Sequence, residues 1–302
     1  MIYSVAVAFL TTLCFSKFTN AAPTRRGVSD PQVLNYALTL EHLESTFYQQ
    51  GLAKFSASDF KNAGFPDWVR GRFQQISDHE ATHVSFLSTA LTTAGAEAVA
   101  PCEYNFPLTD VHSFVDSSII LEGVGTAAYT GGAQLIDNKG YLTVAASILA
   151  VEARHTAWLD AAVNRRNPWN TAFDTPLTPN QVYTLASGFI KSCPTGNARS
   201  LPTLTAFPSL TVADDAHPGS STTLTFNAPA SPPQLFAAFI SGVGAPVFVP
   251  IESGSNKVEV PRDLIGVVYC VVTKDGKRVD DSTTVAGPAI LNFGFDSRGQ
   301  TV

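Results

Sequence analysis

The sequence predicts a chain in two parts, a four-helix bundle over residues 30–195 and an all-β sandwich over residues 196–302. Three observations predict it. Four segments between residues 30 and 165 place apolar residues at helical spacing, each behind a capping or proline signal. The second pair of segments repeats the wording of the first, so the helical part reads as a duplicated helix pair. After Cys193 the texture changes: Pro194, Gly196, Pro202, Pro208 and Pro218-Gly219 punctuate short alternating runs.

The first helix opens at Ser29-Asp30-Pro31, with Asp30 as N-cap and Pro31 at the first helical position, and runs to about residue 52. Leu34, Leu38, Glu41, Glu44 or Phe47, and Tyr48 lie near one stripe. A short helix around residues 56–63 leads to the second, from Pro66-Asp67 to near Gly95, whose inner face carries Phe73, Ile76, Glu80, His83 and Leu87. Residues 96–108 hold no helical period and are long enough to cross the bundle rather than turn back. Thr109 or Asp110 caps the third helix, with Phe114, Val115, Ile119, Glu122 and Tyr129. Gly123 and Gly125 within it each cost up to ~1 kcal/mol relative to Ala. Close packing, or room for a group beside Glu122, would explain them.

The fourth helix runs from Asn138-Lys139 past Trp158 to about Arg165, with Ile148, Val151, Glu152, His155 and Leu159 inward. Thr178-Pro179 opens a fifth, to about Lys191, that caps one end of the bundle. Strand-like runs follow at 222–226, 235–240, 257–260, 267–273 and 289–295, with a hairpin signal at Lys274-Asp275-Gly276-Lys277. Short strands at this spacing predict an antiparallel, immunoglobulin-like sandwich. Phe (20) far outnumbers Met (1), so rigid rings should fill the cores.

The chemistry sits in two short stretches. Asp78-His79-Glu80-Ala81-Thr82-His83 and Val151-Glu152-Ala153-Arg154-His155 each contain Glu-x-x-His, which one helical turn aims at a single point. Each follows a segment with a Leu-Glu pair and a Tyr seven residues after the Glu: Glu41 with Tyr48, and Glu122 with Tyr129. Two turns return each Tyr to the face of its Glu. Folded as a bundle, Glu41, Glu80, His83, Glu122, Glu152 and His155 deliver four carboxylates and two imidazoles to the interior, the donor set of a two-metal centre. Four unpaired buried carboxylates would be costly, and two histidines cannot balance them, so the complete set argues for cations.

The wording Leu-Glu-x-Leu-Glu-x-x-Phe-Tyr together with Glu-Ala-Arg-His resembles the ferritin-like superfamily, in particular its secreted fungal branch of stress-regulated and late-sexual-development proteins. The resemblance covers about half the chain, residues 30–195. It implies two Fe or two Mn ions, bridged by Glu80 and Glu152 and held terminally by Glu41 and Glu122, with one His per ion. Oxygen and imidazole donors suit those metals. Dioxygen or peroxide is the implied small-molecule partner, in ferrous oxidation, peroxide consumption or substrate oxidation. Glu44 is the alternative to Glu41. Tyr48 and Tyr129 could bond a ligand carboxylate, carry an electron, or simply pack. Asp78 and Arg154 could orient ligands or pair on the surface, and His42, His79, His112 and His217 are read as structural. A second reading is a non-catalytic metal-binding protein, or one that contacts a cell wall or surface through its β domain.

The first 21 residues form an apolar run followed by small residues, the pattern of a cleaved signal peptide, with residues 22–29 a short segment beyond it. The expected localisation is extracellular, with no membrane anchor in the mature form. Arg25-Arg26 is a dibasic site or a solvated pair. Among the remaining cysteines, Cys102 and Cys193 both fall in loops at bundle ends and are expected to pair, leaving Cys270 as a buried thiol in an apolar run. A net charge of −6 and no basic run speak against nucleic acid as a partner. No Asn-x-Ser/Thr acceptor occurs.

Overall fold

The computed structural model describes residues 27–227 and 234–301. The expected leader and Arg25-Arg26 lie outside the described residues. Helix α1 (Asp30–Lys54) packs along α3 (Asp67–Thr93), with the short α2 (Ala57–Asn62) between them. Helix α4 (Val111–Gly132) packs along α5 (Lys139–Trp158), and the two pairs meet chiefly through α1 and α4.

The start of α1 departs from expectation. Ser29 is the N-cap and Asp30 already lies inside the helix. Asp30 instead accepts from the backbone N–H groups of Asp137 and Asn138, at 2.8 and 3.0 Å. It thereby ties the start of α1 to the loop that opens α5. Helices α4, α5 and the later one at Pro179 are capped by Asp110, Asn138 and Thr178, whose side chains accept from first-turn N–H groups, whereas α3 starts at Pro66 without a side-chain cap. Helix α5 does not continue as α-helix to Arg165: residues Leu159–Val163 form a π-helical turn.

The segment joining the two helix pairs lies along α1. Asn35, buried in α1, donates to the carbonyl of Glu97 and accepts from the N–H of Val99. A disulfide joins Cys102 to Cys193 as expected. Beside it β1 (Glu103–Tyr104) pairs with β2 (Ile190–Ser192). Helix α6 (Pro179–Ser187) therefore ends short of Lys191, because residues 190–192 are taken up as a strand.

Aromatic rings fill one end of the bundle. Phe47 stacks on Phe114 at 5.1 Å, Phe73 lies 4.8 Å from it, and Phe55 and Phe60 close the cluster. Phe47, Phe60, Phe73 and Phe114 are essentially fully buried, each worth roughly 2–3 kcal/mol of apolar transfer.

After α7 (Asn197–Ser200) come two antiparallel sheets. One orders β3 (Leu210–Val212), β4 (Ser221–Phe226) and β7 (Lys257–Glu259). The other orders β6 (Val247–Pro250), β5 (Phe236–Ile240), β8 (Gly266–Thr273) and β9 (Thr284–Phe293). The chain crosses between sheets from β4 to β5, back to β7, and again to β8, as an immunoglobulin-like sandwich does. Strands β3 and β6 gave no clear alternation in the sequence. The hairpin signal is also corrected: β8 and β9 pair, but through the ten residues 274–283, organised by Asp280 and Thr283.

Strand β8 is buried on both faces. Val268, Cys270 and Val272 enter the sandwich core, and Tyr269 and Val271 join the apolar cluster of the helices. Cys270 is a free, buried thiol.

Candidate metal centre

Four helices supply the site. Glu41, Glu80, Glu122 and Glu152 are wholly buried, His155 nearly so, and the side chain of His83 is 12 % exposed. The structure brings all six predicted donors to one place. His83 Nδ1 lies 3.2 Å from Glu41 Oε2, 3.0 Å from Glu80 Oε2 and 3.4 Å from Glu152 Oε1. His155 Nδ1 lies 3.1 Å from Glu122 Oε2 and 3.4 Å from Glu80 Oε1. Two sets of four donor atoms result, Glu41–Glu80–His83–Glu152 and Glu80–Glu122–Glu152–His155, each with all atoms within 4.8 Å of one another. Glu80 and Glu152 belong to both sets.

The tyrosines cross over. Tyr48, on the helix of Glu41, donates to Glu122 Oε1, and Tyr129, on the helix of Glu122, donates to Glu41 Oε1. The duplication in sequence is thus a two-fold relation in space.

Burial dominates the electrostatics. It pushes the carboxyls of Glu80 and Glu152 well above the usual range, reinforced by the charge of Glu152 on Glu80 and by those of Glu122 and Glu41 on Glu152. Burial also raises Glu122, to about 7, although the Tyr48 hydroxyl pulls it back. For His83 burial disfavours the imidazolium, yet the surrounding carboxylates of Glu152, Glu41 and Glu80 outweigh that and push it up to about 12. Even so, Glu80 Oε1 and both oxygens of Glu152 are buried without any hydrogen-bond partner. Such orphaned oxygens normally cost a fold 1–3 kcal/mol each, more when charged. They belong to the two residues common to both sets, and the donor chemistry there fits a hard, oxygen-preferring cation. This is a buried carboxylate–histidine cluster able to hold metal.

Two more side chains belong near the site: His79, which the sequence left as structural, and Glu44, its alternative to Glu41. His79 does not point away: its ring stacks on His155 at 5.3 Å, and its Nδ1 lies 3.0 Å from His155 Nε2. Residue 79 sits one position before Glu80, on the shoulder of α3 that faces α5; the only sequence signal was its place beside the motif. Glu44 is only 3 % exposed but joins neither four-donor set. A Cβ on Gly125 would lie 2.8 Å from Glu44 Oε1 and 3.3 Å from Glu152 Oε2, so this glycine makes room for two carboxylates. Burial, then the charges of Glu152 and Glu41, push Glu44 well up.

Asp78 and Arg154 are exposed and touch none of the six. Asp78 accepts from Gln74. His42 contacts the Val99 carbonyl, His112 packs beside Phe65, and His217 is exposed. Among the described residues no helix is long and apolar enough to cross a membrane.

Comparison with known proteins agrees with this architecture. Residues 29–165 match the family model described as a ferritin-like domain. Protein rds1 of Schizosaccharomyces pombe is 25% identical over 182 residues, 60% of this chain and 44% of that protein, so the chain spans less than half the length of this relative. Fold, buried donor cluster and matched sequence together identify residues 29–165 as a ferritin-like domain.

Proposed function

We propose that this chain is a secreted protein holding two Fe or Mn ions between α1, α3, α4 and α5, and that the pair is redox-active, as an oxidase or a peroxide-consuming centre. The observation that carries the reading is the sharing of Glu80 and Glu152 between two complete donor sets, with three of their four oxygens left without a hydrogen-bond partner. In this assignment Glu80 and Glu152 would serve both ions, Glu41 with His83 and Glu122 with His155 would complete the two sets, and Tyr129 and Tyr48 hold the carboxylates of Glu41 and Glu122. When bound, such a pair exchanges electrons with dioxygen or peroxide.

The chain's own residues supply the setting. Tyr48 and Tyr129 fix one oxygen of each terminal carboxylate and leave the other facing inward. His155 turns Nδ1 to the carboxylates, and its Nε2 lies 3.0 Å from Nδ1 of His79, a contact that orients the ring; with an ion on Nδ1 the His155 proton would sit on Nε2 and be donated to His79. The aromatic cluster around Phe114 seals one end against water. Secretion is supported by the apolar leader and by the Cys102–Cys193 disulfide, which suits an oxidising compartment.

Metal analysis of the purified protein, with anomalous scattering at the Fe and Mn edges, should find about two ions per chain. Glu80→Ala and Glu152→Ala should each abolish retention of the pair. No metal in the native protein, with unchanged stability in both variants, would remove the centre. Metal without turnover of dioxygen or peroxide would leave a sequestering protein.

A further inference from the structure

A second site lies outside the helical bundle, where the two domains meet. A cleft of about 430 Å3 is floored by α4 and α5, roofed by β8 and β9, and closed at one side by residues 166–175. That volume falls within the range of small-molecule sites. Its walls are fixed. Asn170 Oδ1 accepts from the N–H of Val267 at 2.8 Å, Asn167 bonds Phe295, and Thr175 Oγ1 accepts from the N–H of Gly242 at 2.7 Å.

Asp160 lines this cleft from the π-helical turn that ends α5. It is only 7 % exposed, and its Oδ1 is buried without a hydrogen-bond partner. Among the described residues no cationic side chain makes an ion pair with it, although Arg166 shares the cleft. Burial raises its carboxyl to about 6, with Arg166 pulling the other way. A fold tolerates an orphaned carboxyl where a ligand completes it.

The other polar groups lining the cleft identify that ligand. Asp116 and Asp174 offer acceptors, Arg166 and Asn292 offer donors, and Trp169, 67 % exposed, presents an aromatic face. Ile119, Ile120 and Ile290 supply apolar wall. An ammonium ligand would leave the donors unused, and an anion would meet three carboxylates. A ring of hydroxyls both donates and accepts at every position, and its C–H face suits an indole.

We propose that this cleft binds a neutral polyhydroxylated ring of mono- or disaccharide size, with Asp160 accepting from a ligand hydroxyl at the cleft floor. The site is independent of the metal centre. Gly123 lines it, and a Cβ there would meet nothing within 4 Å, so a side chain added at this position starts into open space beside the cleft.

The test is titration of the full-length protein with glucose, mannose, galactose, xylose and N-acetylglucosamine, followed by calorimetry and Trp fluorescence. At least one sugar should bind saturably. Asp160→Ala should weaken it tenfold or more, and Gly123→Leu should abolish it, with thermal melts of both variants near that of the parent. The same curve should be obtained after chelator treatment, which separates this site from the fate of the metal proposal. No saturable binding by any of the five, binding untouched by both variants, or binding of choline in their place would overturn the proposal.

Discussion

Tyr48 and Tyr129 show how much one hydroxyl can organise. Each is buried, and each bonds a carboxylate on the opposite helix pair. Replacing either with Phe preserves the ring and its packing but leaves a buried carboxylate oxygen free to swing. Tyr48→Phe and Tyr129→Phe should therefore fold normally and lose about 10–100-fold in metal affinity, the range for partners that orient a ligand. Competition with a chelator of known affinity measures this; unchanged affinity would reduce both tyrosines to packing. The six donors were legible in the sequence because i and i+3 fix a helical face locally. The crossed Tyr–Glu pairs were not, since a period says which face a side chain is on and not what stands opposite.

At the level of elements, glycines set how closely segments approach. A Cβ at Gly131 in α4 would lie 1.9 Å from the carbonyl oxygen of Leu177, a backbone atom that cannot turn aside. The approach is reinforced by the bond from the Leu177 N–H to the carbonyl of Ala127. In a helix interior Gly→Ala ordinarily gains up to ~1 kcal/mol. Here overpacking should outweigh the gain, and Gly131→Ala should destabilise by about 1–3 kcal/mol in denaturant unfolding. Stabilisation would mean that the 177 segment is free to retreat. No local pattern in the sequence announces that the backbone of residue 177 will lie against Gly131. Gly125, by contrast, sits where the sequence expected room for a group; the groups that use it are Glu44 and Glu152.

Across the whole molecule, the helices and the sandwich share apolar surface rather than hanging on a linker. Ile240, Tyr269 and Val271 from the strands belong to the same buried cluster as Phe114 and Val124, and α6 lies against β9. The Cys102–Cys193 bridge closes a loop across 91 positions, tying the inter-pair connection to the end of the helical domain. Calorimetry should accordingly record one cooperative transition for the oxidised protein. Two well-separated transitions would show that the shared surface contributes little to stability.

The sequence by itself determined the helices, most strands, the disulfide partners and the residues of the buried cluster, because hydrophobic period, caps and motif spacing act over a few residues of chain. Only the tertiary structure decided that each tyrosine bonds a carboxylate of the opposite helix pair, why His79 belongs beside His155, and that β8 is buried on two sides. Those outcomes depend on which surfaces meet after the helix pairs and sheets have packed, and lateral neighbours leave no period in the chain that carries them.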